Sequence, residues 1–268
     1  MRLALTETVS VASLEPFDPA AIRQENLDHH AALMRSVVAE VYGLGELFPA
    51  PYFALERDPK WHALAEPLDG PTVAWMKAMS LELGAVVFGT LFAEPRANVG
   101  VFVEGGQVLG TYQKTHIPQG DNDKGSFSER FYFDGAPEHV PTVVQTSVGR
   151  LGASICYDRH FEGVHRRLAR AGAQLILSPA VTFGSQSERM WPIEFQTDAC
   201  RNRVFIAGSN RLGVEPPWTQ AYFGGSVVAG PSGLVRADRS VPGIVQFEFE
   251  LTEVDDNSGW KLVEDARW

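Results

Sequence analysis

The chain has 268 residues, of which 44% are hydrophobic and 21% charged, with a formal net charge of −10. Such a chain is long enough to bury its own core, and its acidic balance argues against a polyanionic partner such as nucleic acid. A small anion is not excluded, since it needs only one local cation. Cys156 and Cys200 are the only cysteines, so no disulfide framework is expected and the compartment reads as reducing and cytoplasmic.

The first segment, MRLALTETVSVASLEP, is broken by Thr6 and Glu7, too polar for the apolar part of a secretion signal. No membrane span is expected anywhere. Residues 2–12 read as a first strand. Asp18–Pro19 marks a helix start, and Ile22, Leu27, Ala31, Met34 and Val38 follow at helical spacing. Residues 41–44 read as a short strand ending at Glu46, 72–83 as a helix closed by Gly84, and 85–91 as a buried strand. The turn EGGQ joins strands at 99–103 and 108–113, and SVGR joins strands at 143–146 and 151–155. Then come a helix at 161–171 stopped by Gly172, a strand at 174–178, a helix at 189–202 and a strand at 204–209. Two final strands, 226–229 and 244–249, bracket the turn GPSG. Helices alternate with strands but hairpins interrupt them, which predicts a mixed-sheet α/β fold over a single domain, residues 1–268.

Several ligand motifs fail. GLGELF lacks the third glycine of a dinucleotide site, and DNDKG puts its glycine one position early for a calcium loop. The histidines show no zinc spacing with either cysteine. Neither metal nor cofactor is expected.

Most free cysteines are small buried hydrophobes, and Cys200, inside FQTDACRNR, reads as one. Cys156 differs. It ends an apolar strand in GASICYDRHF, where α/β sheets place ligands, and Arg159 and His160 follow as cations that favour a thiolate. A nucleophilic cysteine also needs a base and an oxyanion stabiliser. Glu46 in GLGELFPAPYF and Lys114 in LGTYQKTHIP stand at two other strand ends. Each alone is ordinary, because charged residues after strands are usually solvated loops.

Taken together, GELFPAPYF, YQKTHIP and GRLGASICYDRHF resemble the nitrilase superfamily of carbon–nitrogen hydrolases, whose catalytic residues are Glu, Lys and Cys in this order. The resemblance runs from RLAL to GIVQFEFEL. It implies a four-layer α-β-β-α sandwich, in which two subunits commonly associate through their outer helices, and hence a homodimer or higher homo-oligomer. SFSERFYF is similar to the segment carrying a second active-site glutamate, here Glu129. ICYDRHF with LSPAVTFGSQSERMWPIE resembles N-carbamoyl amino-acid amidohydrolases and β-ureidopropionases.

That resemblance implies a small-molecule amide or N-carbamoyl substrate. Glu46 is the expected base, Cys156 the nucleophile, and Lys114 with the backbone N–H of Tyr157 the oxyanion donors. Glu129 would hold Lys114 or the substrate amide, and His116 would brace the site. Arg159, and with it His160, would bind a substrate carboxylate, with Trp191 and Glu194 also on the substrate side. Alternatively, Arg159 pairs internally with Asp158 or Glu162. The same machinery also serves ω-amidases, carbamoylputrescine-type amidases and nitrilases, and a non-catalytic protein could keep the fold.

Overall fold

The computed structural model describes residues 1–161 and 163–255. The last thirteen residues of the expected domain, 256–268, lie outside these. Two sheets dominate. The seven-stranded sheet runs in the order Ala237–Asp238, Ile244–Glu248, Arg2–Thr6, Val41–Gly43, Val86–Ala93, Ala97–Glu104, Gln107–Gln113. The six-stranded sheet runs Gly233–Leu234, Val227–Gly230, Phe205–Ser209, Leu175–Pro179, Gly149–Ala153, Val143–Thr146. In each sheet three central strands are parallel, and antiparallel neighbours flank them.

Alternation along the strands sorts side chains between two cores. Leu3, Leu5, Val41 and Phe88 meet Leu151, Ala153, Leu175 and Leu177 of the facing sheet. The intervening Ala4, Tyr42 and Val87 meet Leu27 and Met34 of helix Pro19–Arg35 and Val73 and Met76 of helix Pro71–Leu83. On the far side of the six-stranded sheet lie Val164 and Leu168 of helix Gly163–Arg170 and Trp191 and Phe195 of helix Ser185–Asn202. The result is the expected helix–sheet–sheet–helix sandwich. Each fully buried Leu or Phe contributes about 1.5–3 kcal/mol through the surface it removes from water.

Local signals explain most boundaries. The Asp18 carboxylate accepts from the amides of Ala20 and Ala21, at 2.9 and 3.2 Å, which starts the first helix. Gly105 and Gly106, with φ of 54° and 75°, make the tight hairpin turn that a side chain would oppose. Several boundaries differ from expectation, two of them by four residues or more. The first strand stops at Thr6, because the buried Glu7 carboxylate turns aside to accept from the Ser226 amide and Arg239. The last long helix begins at Ser185 rather than 189, where the Asp123 carboxylate accepts from the Ser185 amide and hydroxyl at 2.9 and 2.5 Å.

Candidate active site

The parallel strands deliver the site. Strand Gly149–Ala153 ends just before Cys156, which opens the 3-10 helix Cys156–His160 with φ of 48°. Left-handed backbone is uncommon for a side chain other than glycine, and here it forms a sharp bend at the sulfur. Tyr157 lies in the first turn of that helix, where backbone N–H groups have no intrahelical acceptor. The buried Asp158 carboxylate fixes the bend from behind. It accepts from the Ile155 amide at 3.1 Å, the Tyr112 hydroxyl at 2.7 Å, and the His116 amide and Nδ1 at 2.9 and 2.7 Å. The His116 ring stacks on Phe161 with centroids 3.5 Å apart.

Strand Val41–Gly43 leads into the turn carrying Glu46, which is fully buried. Its Oε1 accepts from Lys114 Nζ at 2.7 Å and Asn98 Nδ2 at 2.8 Å, and its Oε2 accepts from the Val181 amide at 2.7 Å. Lys114 follows strand Gln107–Gln113, and its amide bonds the Asn98 carbonyl at 2.9 Å. Its Nζ also donates to Glu129 Oε2 at 2.6 Å, and Glu129 Oε1 accepts from the Tyr52 hydroxyl at 2.8 Å. One carboxylate oxygen from each of Glu46 and Glu129 and the Cys156 sulfur all lie within 4.8 Å of one another. Three distant segments thus converge on the sulfur.

Two fully buried carboxyl groups face one ammonium, so burial and mutual repulsion work against the attraction of Lys114. Burial, with Glu46 adding to it, pushes Glu129 up to about 7 despite the pull of Lys114. Burial opposes the charge on Lys114, but Glu129 and Glu46 outweigh it and hold the ammonium well above its ordinary range. Burial, then Glu46, push the Cys156 thiol up to about 12, against the opposing pull of Lys114 and Arg159. Burial and the neighbouring acids thus favour the protonated thiol over the thiolate. Arg159 and His160 line the cavity beside the sulfur, but burial and the two acids outweigh the opposing pull of Lys114 and Arg159. The donors of Glu46, Glu129 and Cys156 would also suit a metal ion, but the Lys114 ammonium already bonds both carboxylates.

A cavity of about 430 Å³ opens over the sulfur, with Tyr52, Glu129, Tyr157, Arg159, His160 and Glu194 among its walls. Arg159 reaches Glu194 Oε2 through Nε at 3.2 Å and the Cys156 carbonyl through Nη1 at 2.9 Å, with Nη1 3.9 Å from the sulfur. Its guanidinium lies over the Trp191 ring at 5.0 Å. His160 Nδ1 pairs with Glu194 Oε1 at 2.6 Å. Among the described residues the internal partner of Arg159 is Glu194; Asp158 is engaged elsewhere, and Glu162 lies outside them. Trp191 and His116 stand behind the cavity wall. The Trp191 Nε1 donates to the Gly225 carbonyl at 2.8 Å, and His116 faces Asp158.

Tyr52 and the Val181 amide were not singled out by sequence reasoning, and Asn98 and Asp158 were given no part in holding the site, although all four touch the residues that were. Tyr52 and Asp158 lie inside the stretches quoted for Glu46 and Cys156. Nothing local marks the Val181 amide, because a backbone group has no residue type.

Residues 8–254 match the family model described as carbon-nitrogen hydrolase. The chain is similar to a β-ureidopropionase of Arabidopsis thaliana, 29% identical over 180 residues that make up 64% of this chain and 43% of that protein. It spans less than half the length of that relative. It is similar to an N-carbamoylputrescine amidase of Oryza sativa subsp. japonica, 28% identical over 97% of this chain and 92% of that one. The crystal structure of a carbon-nitrogen hydrolase from Helicobacter pylori G27 shares the fold, with a TM-score of 0.86 at 24% identity, over 100% of this chain and 95% of that one. Fold, convergence of the strand ends and a family match across nearly all described residues agree: the chain belongs to the carbon-nitrogen hydrolase family, the nitrilase superfamily.

Proposed function

We propose that the chain, acting as one domain, is a cysteine-dependent amidohydrolase of N-carbamoyl amino acids, releasing ammonia, carbon dioxide and the amino acid. The observation that carries this is the fully buried Glu46–Lys114–Glu129 cluster set against the Cys156 sulfur at the wall of a small cavity. A thiol that keeps its proton needs a base in contact as it attacks, and Glu46 is within reach. The sulfur bonds to the carbonyl carbon and its proton passes to Glu46. Negative charge moves to the carbonyl oxygen, facing Lys114 Nζ and the Tyr157 amide. One such donor contributes about 3–4 kcal/mol to the transition state. As the C–N bond breaks, Glu46 returns the proton to the leaving nitrogen. Water, losing a proton to the same carboxylate, then attacks the acyl carbon; the C–S bond breaks, the sulfur takes that proton back, and the carbamic acid set free loses carbon dioxide to leave the second amine. Glu129 keeps Lys114 charged and offers an acceptor for substrate N–H groups.

Arg159 lines the cavity and is the cation for a carboxylate tail, with His160 beside it. A second reading, a carbamoylputrescine-type amidase, is favoured by Glu194 and Asp123, which line the same cavity and would receive an ammonium tail. Named relatives of both kinds support the pair of readings. No helix of the described residues is long and apolar enough to cross a membrane, and we read the protein as a cytoplasmic homo-oligomer. Ammonia release measured across N-carbamoyl α- and β-amino acids, N-carbamoylputrescine, linear amides and nitriles tests the assignment. Turnover of nitriles or simple amides alone would overturn it.

A further inference from the structure

We propose that Arg211 is a positioning residue for Glu46. This goes beyond the reaction proposed above and rests on Glu46 being its base.

Glu46 sits in an irregular turn, not in a strand, so no ladder holds it. The next residue, Leu47, has φ of 50°, a left-handed conformation that a branched side chain resists. Such a turn persists only where its surroundings hold it. Arg211, 3% exposed at the end of strand Phe205–Ser209, supplies that hold. Its Nη2 donates to the carbonyls of Glu46, Leu47 and Ala50 at 3.0, 3.1 and 2.9 Å. Two hydrogens serve three oxygens, so at least one is shared. The other arm, Nη1, pairs with Glu215. That carboxylate in turn accepts from the amides of Tyr52 and Ser10, at 2.8 and 2.7 Å. Tyr52 is the residue whose hydroxyl bonds Glu129.

The neighbouring Asn210 fixes the opposite side. Its Oδ1 accepts from the Thr182 amide at 3.0 Å, and its Nδ2 donates to the carbonyls of Thr182 and Gly224. Thr182 follows Val181, whose amide binds Glu46 Oε2. One dipeptide therefore sets the backbone of Glu46 from below and the donor to its carboxylate from the side. Only a planar fork reaches Glu215 and the three carbonyls together; a lysine ammonium keeps the charge but loses the geometry.

The test is Arg211→Lys with N-carbamoyl-β-alanine or whichever carbamoyl substrate the wild type turns over. Activity is scaled to the folded fraction from circular dichroism. The expected result is a kcat at least tenfold lower with KM within about twofold, the signature of lost transition-state stabilisation rather than weaker binding. Glu215→Gln, which leaves the Arg211 charge in place but weakens its anchor, should show the same signature at smaller size. Unchanged kcat per folded molecule in either variant would overturn the proposal. So would failure of both to fold, which would assign Arg211 to stability alone. If the reading of Cys156 and Glu46 is itself mistaken, Cys156→Ala will retain turnover whatever the Arg211 variants do.

Discussion

Arg159 lies 3.2 Å from Glu194, within the wall of the same cavity. The cation expected to hold a substrate carboxylate is thus already paired with an acid, and His160 shares that acid. The pairs lower the Glu194 carboxyl against the opposing effect of its burial. Glu194→Gln should release Arg159 from competition. We expect KM for N-carbamoyl-β-alanine to fall several-fold and KM for N-carbamoylputrescine to rise. Arg159→Met should reverse the ranking. Steady-state kinetics on both substrates checks this, and parallel shifts on the two would remove the tail-recognition role.

The sulfur is the group without which no covalent step exists. Cys156→Ala should lower kcat by roughly a thousandfold or more while leaving the fold intact, as losses of covalent nucleophiles do. Mass spectrometry after a substrate quench should find an acyl adduct on the wild type and none on the variant. Turnover at the wild-type level in Cys156→Ala would end the mechanism.

Glu129 connects the site to pH. Its value of about 7 in the fold lies above the ordinary 4.5, chiefly through burial. Between these values the native state holds the proton more strongly than the unfolded chain, so the contribution of this group to stability falls as pH rises through that window and is level outside it. Glu129→Gln has no such proton. The Tm of the wild type minus that of Glu129→Gln should therefore decrease across that window, as read by calorimetry. An increase would contradict the sign.

The brace behind the bend is open to the same kind of test. Tyr112 donates to Asp158 at 2.7 Å inside the protein, and Asp158 also holds the Ile155 amide. Tyr112→Phe leaves one buried acceptor with a donor fewer, at a cost of about 1–3 kcal/mol. Chemical denaturation should show that loss with an unchanged dependence on denaturant, and kcat should fall with it if the bend at Cys156 loosens. No loss of stability would mean the hydroxyl contributes nothing to the brace.

Glu46 and Lys114 were ordinary one by one; together with Cys156 they were recognisable because each follows a strand, and strand ends can be read from local pattern. The helices with a cap or a closing glycine, Pro19–Arg35 and Pro71–Leu83, were legible for the same reason. The helix starting at Ser185 was read four residues late, since the acid that anchors it, Asp123, comes from a distant loop. Trp191 carried a motif but turned its nitrogen to Gly225, away from the cavity.

The chain alone determined most of the central strands and which reactive side chains stand near their ends, because alternation, caps and turns act over a few residues; it left out short strands such as Gly233–Leu234 and Ala237–Asp238, which form only against neighbours in the sheet. Tertiary structure decided what those side chains are. The proton on Cys156 depends on burial and on Glu46, the Val181 amide reaches Glu46 across 135 residues, and Arg211 reaches its carbonyl across 165. Charge interactions in a dry interior follow distance in space, and distance along the chain does not contain it.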